Sequence, residues 1–273
     1  MKPLEIGIMF WADTAAPEKV RQIRSFGVSC GQLGLPGDLP LTAATAREWR
    51  EACSGEKFEL ATVFTAYRGE SYADVPTVES TVGLIPPATR EERFARTLDA
   101  SDFTATLGVP SLATHIGFVP HDPGHPDYVA VRDLVRKICD RCASNRQTFA
   151  LETGQEPAAT LKQFLLDVDR PNLRINFDPA NMILYGTGDP IEALEIVKSW
   201  VVSVHCKDGD WPTAPGALGV EQPLGRGAVD IPRFVAKLKG IGYTGPLTIE
   251  REVHGDQQRQ DLLAAVALLK GLT

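Results

Sequence analysis

Thr148-Phe-Ala-Leu-Glu152 is a short apolar run that ends in a carboxylate, and the pattern recurs three more times before the chain ends. Leu173-Arg-Ile-Asn-Phe-Asp178, Val201-Val-Ser-Val-His205 and Leu247-Thr-Ile-Glu250 each close on a side chain able to ligate a metal. Side chains alternate along a strand, so Thr148, Ala150 and Glu152 share one face while Phe149 and Leu151 share the other. In the same way Asn176 and Asp178 oppose Leu173, Ile175 and Phe177, and Thr248 and Glu250 oppose Leu247 and Ile249. Val201, Ser203, His205 and Lys207 oppose Val202, Val204 and Cys206. A parallel sheet covered by helices needs an apolar outer face, which turns Glu152, Asp178, His205 and Glu250 into the lumen of a closed barrel.

Outward from these four runs, the whole chain alternates short apolar segments with longer amphipathic ones, the pattern of βα units around a parallel sheet. The predicted strands are Leu4–Phe10, Val28–Leu33, Phe58–Phe64, Ser111–His115, Thr148–Glu152, Leu173–Asp178, Val201–Lys207 and Leu247–Glu250. The clearest predicted helices are Ala43–Cys53, Glu91–Leu107, Tyr128–Asn145, Ile191–Ser199, Ile231–Lys239 and Gln257–Lys270, several starting beside a Pro, Asp or Thr. Eight units of roughly 34 residues fit a (β/α)8 TIM barrel of about 250 residues. No linker or composition shift divides the 273 residues, so the expectation is one α/β domain spanning 1–273. The stretch Asp208–Gly227 reads as a long βα loop.

Composition narrows the function classes. With 43% hydrophobic and 23% charged residues, a disordered, collagen-like or disulfide-stapled chain is excluded. The formal charge is −7 and no dense basic run exists, which argues against a nucleic-acid partner. Met1-Lys2-Pro3-Leu4-Glu5 and the apolar run Ile6–Trp11 lack a signal-peptide pattern, and no apolar stretch approaches the roughly 20 residues of a membrane span. The expectation is a cytoplasmic protein with no membrane partner. Cys30, Cys53, Cys139, Cys142 and Cys206 are odd in number and scattered, which suits reduced thiols. Cys139 and Cys142 form a Cys-x-x-Cys, but it falls within the helical-looking Tyr128–Arg146 with no second pair to complete a zinc site, so packing is expected.

Neighbouring parallel strands lie about 4.8 Å apart, close enough for Glu152, Asp178, His205 and Glu250 to converge on one cation. Three carboxylates at one mouth repel one another and are driven to protonate unless a cation neutralises them. An oxygen-rich set with one imidazole favours a hard or borderline ion: Mn²⁺ first, with Co²⁺ and Mg²⁺ as alternatives and Zn²⁺ admitted by its affinity. One ion per chain is expected.

At these residues the chain resembles the xylose isomerase-like TIM-barrel superfamily of sugar isomerases and epimerases. The matching segments are Leu151-Glu-Thr-Gly-Gln-Glu156, Asn176-Phe-Asp-Pro-Ala-Asn181, His205-Cys-Lys-Asp208, Pro223-Leu-Gly-Arg-Gly-Ala-Val-Asp230 and Gly242-Tyr-Thr-Gly-Pro-Leu-Thr-Ile-Glu250. The resemblance implies that Glu152, Asp178, His205 and Glu250 bind one divalent metal and that Glu152 and Glu250 double as acid/base residues. It implies a sugar or related hydroxy-carbonyl substrate, isomerised or epimerised through a metal-stabilised enediolate, and homo-oligomers that pair through helical faces or mouth loops. The alternative within enzymes is a lyase or dehydratase acting on a keto-sugar, keto-glycoside or cyclitol. More distant are an endonuclease IV-like zinc nuclease, which needs a histidine-rich three-zinc cluster, and a non-catalytic sugar-binding barrel.

The substrate-binding candidates are His115, Asn181, Lys207, Arg226, Trp11 and Glu156. Asn181 stands where the related epimerases carry a substrate-binding histidine, and keeps a donor there. His115 shares an inward face with Ser111 and Ala113, for a substrate contact or a structural hydrogen bond. Lys207 could hold an oxyanion or pair with Glu156 or Glu252. Arg226 could reach substrate from a mobile loop or lie in a solvated turn, and Trp11 could stack on a sugar or pack in the core. His121 and His125 sit among Pro123, Gly124 and Pro126, which preclude a zincin helix, and read as loop residues.

Overall fold

Apolar alternation and proline- or aspartate-led helix starts produce the expected architecture. A computed structural model describes residues 3–273; Met1 and Lys2, the first residues of the N-terminal reading, lie outside the described residues. The barrel strands are β1 (Ile6–Trp11), β2 (Cys30–Leu35), β3 (Glu59–Thr65), β4 (Ser111–Thr114), β5 (Thr148–Glu152), β6 (Leu173–Phe177), β7 (Val201–Cys206) and β10 (Leu247–Ile249). All pair in parallel, and β1 closes the ring by pairing β10 on one side and β2 on the other.

Helices lie between the strands: α1 (Ala16–Arg24), α2 (Ala43–Gly55), α3 (Val75–Thr81), α4 (Arg90–Leu107), α5 (Pro126–Ser144), α6 (Ala158–Val168), α7 (Pro179–Leu184), α8 (Pro190–Val197), α9 (Ile231–Gly240) and α10 (Gly255–Lys270). Local chemistry sets their starts. Thr42, Asp74 and Asp189 accept backbone N–H bonds at the openings of α2, α3 and α8, and a proline occupies the first turn of α3, α5, α7, α8 and α9. His125 caps α5 through Nδ1, which accepts from the Asp127 N–H at 3.2 Å, and His121 lies in the preceding loop. Cys139 and Cys142 are buried on α5 as free thiols.

The alternation sorts the core into two layers. Phe149, Leu151, Ile175, Phe177 and Val204 are fully buried on the helix side of the strands. Inside the barrel a smaller apolar cluster of Met9, Phe64, Ala113 and Ala150 packs with Trp11 and Val202.

Two local expectations are corrected. Val201 packs outward and Val202 inward, the reverse of strict alternation along β7. A register shift between β6 and β7, where Ile175 pairs Val201 but Asn176 pairs Ser203, inserts one residue and flips the start of the strand, while Ser203 and His205 keep their inward face. The 208–227 stretch is not wholly loop: β8 (Asp208–Asp210) and β9 (Val220–Gln222) form an antiparallel ribbon over the mouth. Among the described residues no helix is long and apolar enough to cross a membrane.

Candidate metal centre

Glu152 is the last residue of β5, His205 the penultimate residue of β7, and Asp178 and Glu250 each stand one step beyond β6 and β10. Strand alternation turns all four inward at the C-terminal mouth. One ligand atom from each comes within 4.8 Å of all the others. His205 Nδ1 is the hub, 3.0 Å from Glu152 Oε1, 3.2 Å from Glu250 Oε2 and 3.7 Å from Asp178 Oδ2. Glu152, Asp178 and His205 are at most 1% exposed, and Glu250 is 10% exposed.

Each of Asp178 and Glu152 is held by one oxygen and leaves the other for a cation. Asp178 Oδ1 caps α7 by accepting the N–H groups of Ala180 and Asn181 at 2.8 and 3.0 Å, while Oδ2 is buried without a hydrogen-bond partner. Glu152 Oε1 accepts from Asn181 Nδ2 at 3.1 Å, and its Oε2 is likewise unpartnered. Thr153 fastens the ends of β5 and β6: its hydroxyl donates to the Asp178 carbonyl and accepts the Asp178 N–H, at 2.9 and 2.8 Å. Gly154, at φ +145°, allows this turn, because a Cβ there would stand 2.5 Å from Asn181 Cβ.

Electrostatics agree with the geometry. Burial, reinforced by Glu250 and Asp178, pushes the Glu152 carboxyl up to about 8. Burial opposes a charged His205, but Glu250 and Glu152 outweigh it and raise the imidazole well above its usual value. A divalent ion bound among these groups would displace protons from them. Two buried, unpartnered carboxylate oxygens beside one imidazole nitrogen fit a divalent cation held by Glu152, Asp178, His205 and Glu250. Among the described residues this is the one group of metal-ligating side chains so arranged, which does not supply the three-zinc set of a nuclease.

The substrate candidates divide by position. His115, Asn181 and Lys207 line a cavity of about 170 Å³ at the mouth, with Tyr72, Tyr185 and Glu252. His115 Nε2 lies 3.7 Å from Glu152 Oε2 and its Nδ1 is unpartnered; burial pushes its pKa down to about 3 and keeps the ring neutral. Lys207 donates to Glu252 at 2.6 Å, Glu250 at 3.2 Å and Asn181 at 3.5 Å, so its ion-pair partner of the two considered is Glu252. Trp11 is half-buried, packs edge-on against Phe64 and lines a neighbouring cavity of about 500 Å³ that also touches Glu250 and Glu252. Glu156 is outside the mouth lining; it is 2% exposed, with both carboxylate oxygens unpartnered, and burial pushes it up to about 8. Arg226 is exposed on the 223–229 turn. A cavity of about 680 Å³ lies at the opposite end of the barrel around Leu4, Cys30, Glu59 and Tyr243, and contains no member of the metal cluster.

Residues not singled out in the sequence shape the site as well. Asp208, 1% exposed, accepts four backbone N–H groups: Gly209 and Val229 on Oδ1, Gly225 and Gly227 on Oδ2, at 2.9–3.1 Å. Gly227 is required there, since a Cβ would meet Asp208 Oδ1 at 2.4 Å. One carboxylate thus ties the ribbon strand β8 to the 223–229 turn. Gln32, buried inside the barrel, touches His205 from below. A lone amide in the apolar strand Cys30–Leu35 was the available sequence signal.

A family model described as xylose isomerase-like TIM barrel matches residues 20–272. The chain belongs to the xylose isomerase-like TIM-barrel family. A xylose isomerase domain protein from Planctomyces limnophilus is 41% identical, with a TM-score of 0.94 over 99% of this chain and 97% of that one. D-psicose 3-epimerase from Clostridium cellulolyticum H10, solved with D-tagatose, is 15% identical with a TM-score of 0.74 over 98% and 99% of the two chains. The probable 3-DHS dehydratase AsbF from Bacillus anthracis is 17% identical with a TM-score of 0.69 over 97% and 99%. At those identities the last two comparisons show the shared fold. No curated protein matches the sequence significantly.

Proposed function

We propose that this barrel is a divalent-metal-dependent isomerase or epimerase of a sugar or related hydroxy-carbonyl compound. The observation that carries the reading is the convergence of Glu152, Asp178 and Glu250 on one imidazole, with unpartnered carboxylate oxygens, beside a cavity of monosaccharide scale. A bound cation would polarise the substrate carbonyl and neutralise charge developing on its oxygen. Mn²⁺ is the first choice for this donor set, one ion per chain.

The chain's own groups supply the proton chemistry. Glu152, with its proton affinity raised by burial, and Glu250, held low by His205 and Lys207 against the effect of burial, form a carboxyl pair whose environments differ. Such a pair suits removal of a proton at the carbon beside the carbonyl and its return from the other side, each step worth about 10²–10⁴-fold. Lys207 and neutral His115 line the cavity as donors for substrate oxygens, and Asn181 holds Glu152 in place. Five buried thiols among the described residues suit a reducing, cytoplasmic setting.

The test is exchange in deuterated water. Wild-type protein with Mn²⁺ and a panel of ketoses incorporates solvent deuterium at the carbon next to the carbonyl, and Glu152→Gln does not; undiminished exchange in the variant refutes the assignment. Product mass separates the rival chemistry, because a dehydratase product lacks the mass of water and an epimer keeps its full mass.

A further inference from the structure

The polar groups beneath the metal cluster form one connected network that ends on His205 Nε2. Inside the barrel, Asn176 Oδ1 accepts from the Ser203 hydroxyl at 2.6 Å and from Gln32 Nε2 at 3.2 Å. Gln32 Nε2 also donates to Thr248 Oγ1 at 3.4 Å. With its nitrogen committed to these two acceptors, the Gln32 amide presents Oε1 to His205 Nε2 at 3.1 Å. Reversing the amide would set its oxygen against Asn176 Oδ1 with no proton between them. Asn176 Nδ2 lies 3.2 Å from the same imidazole nitrogen, so Gln32 Oε1 is the acceptor that Nε2 has when it carries the proton. All five side chains are at most 3% exposed, so water cannot substitute for a missing partner.

We propose that Gln32 is a positioning residue for the metal centre: its amide oxygen holds the proton of His205 on Nε2 and so aims the bare Nδ1 lone pair at the cation site. The inference rests on the metal-dependent reading above. It assigns a role to a residue on β2, the strand across the barrel from the ligand-bearing strands, which touches none of the three carboxylates through any bond described. Outer partners that orient a ligating histidine typically govern 10–100-fold in metal affinity.

The test uses the full chain stripped with a chelator and titrated with Mn²⁺ against a competing fluorescent chelator, below the melting temperature of every variant. Gln32→Leu is expected to lose 10–100-fold in affinity, because His205 Nε2–H then has no acceptor. Gln32→Glu keeps an acceptor for Nε2–H but sets a second oxygen against Asn176 Oδ1, so it is expected to lose melting temperature while retaining more Mn²⁺ affinity than Gln32→Leu. Thr248→Val removes the longer of the two bonds to Gln32 Nε2 and leaves Gln32 Oε1 in place, and is expected to lose less affinity than Gln32→Leu. A merely structural role would make Gln32→Leu and Gln32→Glu alike, with affinity following the loss of melting temperature. Nitrogen-15 imidazole spectra of Mg²⁺-loaded wild type give a readout that needs no variant to fold: the proton resides on His205 Nε2. Binding by Gln32→Leu within twofold of wild type, or a proton found on Nδ1, overturns the inference while leaving the metal centre intact. Failure of the wild-type protein to bind Mn²⁺ overturns both.

Discussion

Replacing Asp208 by asparagine tests whether the roof of the mouth is held by one carboxylate. Asp208 Oδ1 accepts from Gly209 and Val229, and Oδ2 from Gly225 and Gly227. An amide has one acceptor oxygen, so whichever way the new side chain turns, two backbone N–H groups face an NH₂ donor. Each orphaned buried donor costs about 1–3 kcal/mol, which puts the loss at about 2–6 kcal/mol. For a chain of this size about 2 °C of melting temperature accompanies each kcal/mol, so the midpoint falls by about 4–12 °C. The loss concentrates on the 223–229 turn and on the β8–β9 ribbon, whose Glu221, with neighbouring Leu218 and Gly219, lines the mouth cavity. Hydrogen exchange read by mass spectrometry is therefore expected to accelerate in peptides covering Gly225–Val229, while peptides covering the barrel strands keep their protection. A midpoint within about 1 °C of wild type, with unchanged exchange at the turn, refutes the reasoning.

Glu156 has a folded pKa pushed up to about 8 by burial, above its ordinary 4.5, so the folded state holds its proton more tightly than the unfolded state. Its contribution is fully present below about pH 4.5 and is lost as pH rises towards 8; urea melts of Glu156→Gln are expected to show stability that exceeds wild type at pH 9 by on the order of 3–5 kcal/mol, and equal pH slopes in both proteins would contradict this. Gly154→Ala forces a Cβ to within 2.5 Å of Asn181 Cβ at a backbone angle that L-residues rarely adopt; it is expected to cost about 2–3 kcal/mol by thermal melt and to weaken Mn²⁺ binding by disturbing the Asn181–Glu152 bond, and a neutral melt with unchanged binding would contradict it.

Most of the barrel was legible because its signals are local. Period-two alternation in Thr148–Glu152 and Leu247–Ile249 needs only the strand itself to decide which side chains face inward. Helix starts at Thr42 and Asp189 likewise declare themselves by residue type. The features that escaped depend on neighbours distant in sequence. Val201 and Val202 exchange faces because the β6–β7 register slips, which no reading of β7 alone contains. The ribbon within 208–227 forms because Asp208–Asp210 finds Val220–Gln222, and nothing in two three-residue strands announces a pairing. At the site, Glu152, Asp178, His205 and Glu250 stood out because charged residues closing apolar runs conflict with burial unless something compensates them. Gln32 did not stand out, since an uncharged amide in Cys30–Leu35 raises no such conflict and its partners lie on β6, β7 and β10. Lys207 and Glu252 were recognised as ionic, but their pairing was settled by the turn after β10, whose course the sequence leaves open.

The central claim is that Glu152, Asp178, His205 and Glu250 bind one divalent cation. It is tested most directly by the melting temperature of chelator-stripped protein titrated with Mn²⁺, Co²⁺, Mg²⁺ and Zn²⁺, beside Glu250→Gln. At about 100 times its dissociation constant an ion stabilises the native state by about 2.7 kcal/mol, or about 5 °C for this chain. The account predicts a saturable shift of that size in wild type with Mn²⁺ or Co²⁺, abolished in Glu250→Gln. A wild-type protein whose melting temperature no metal moves would contradict it.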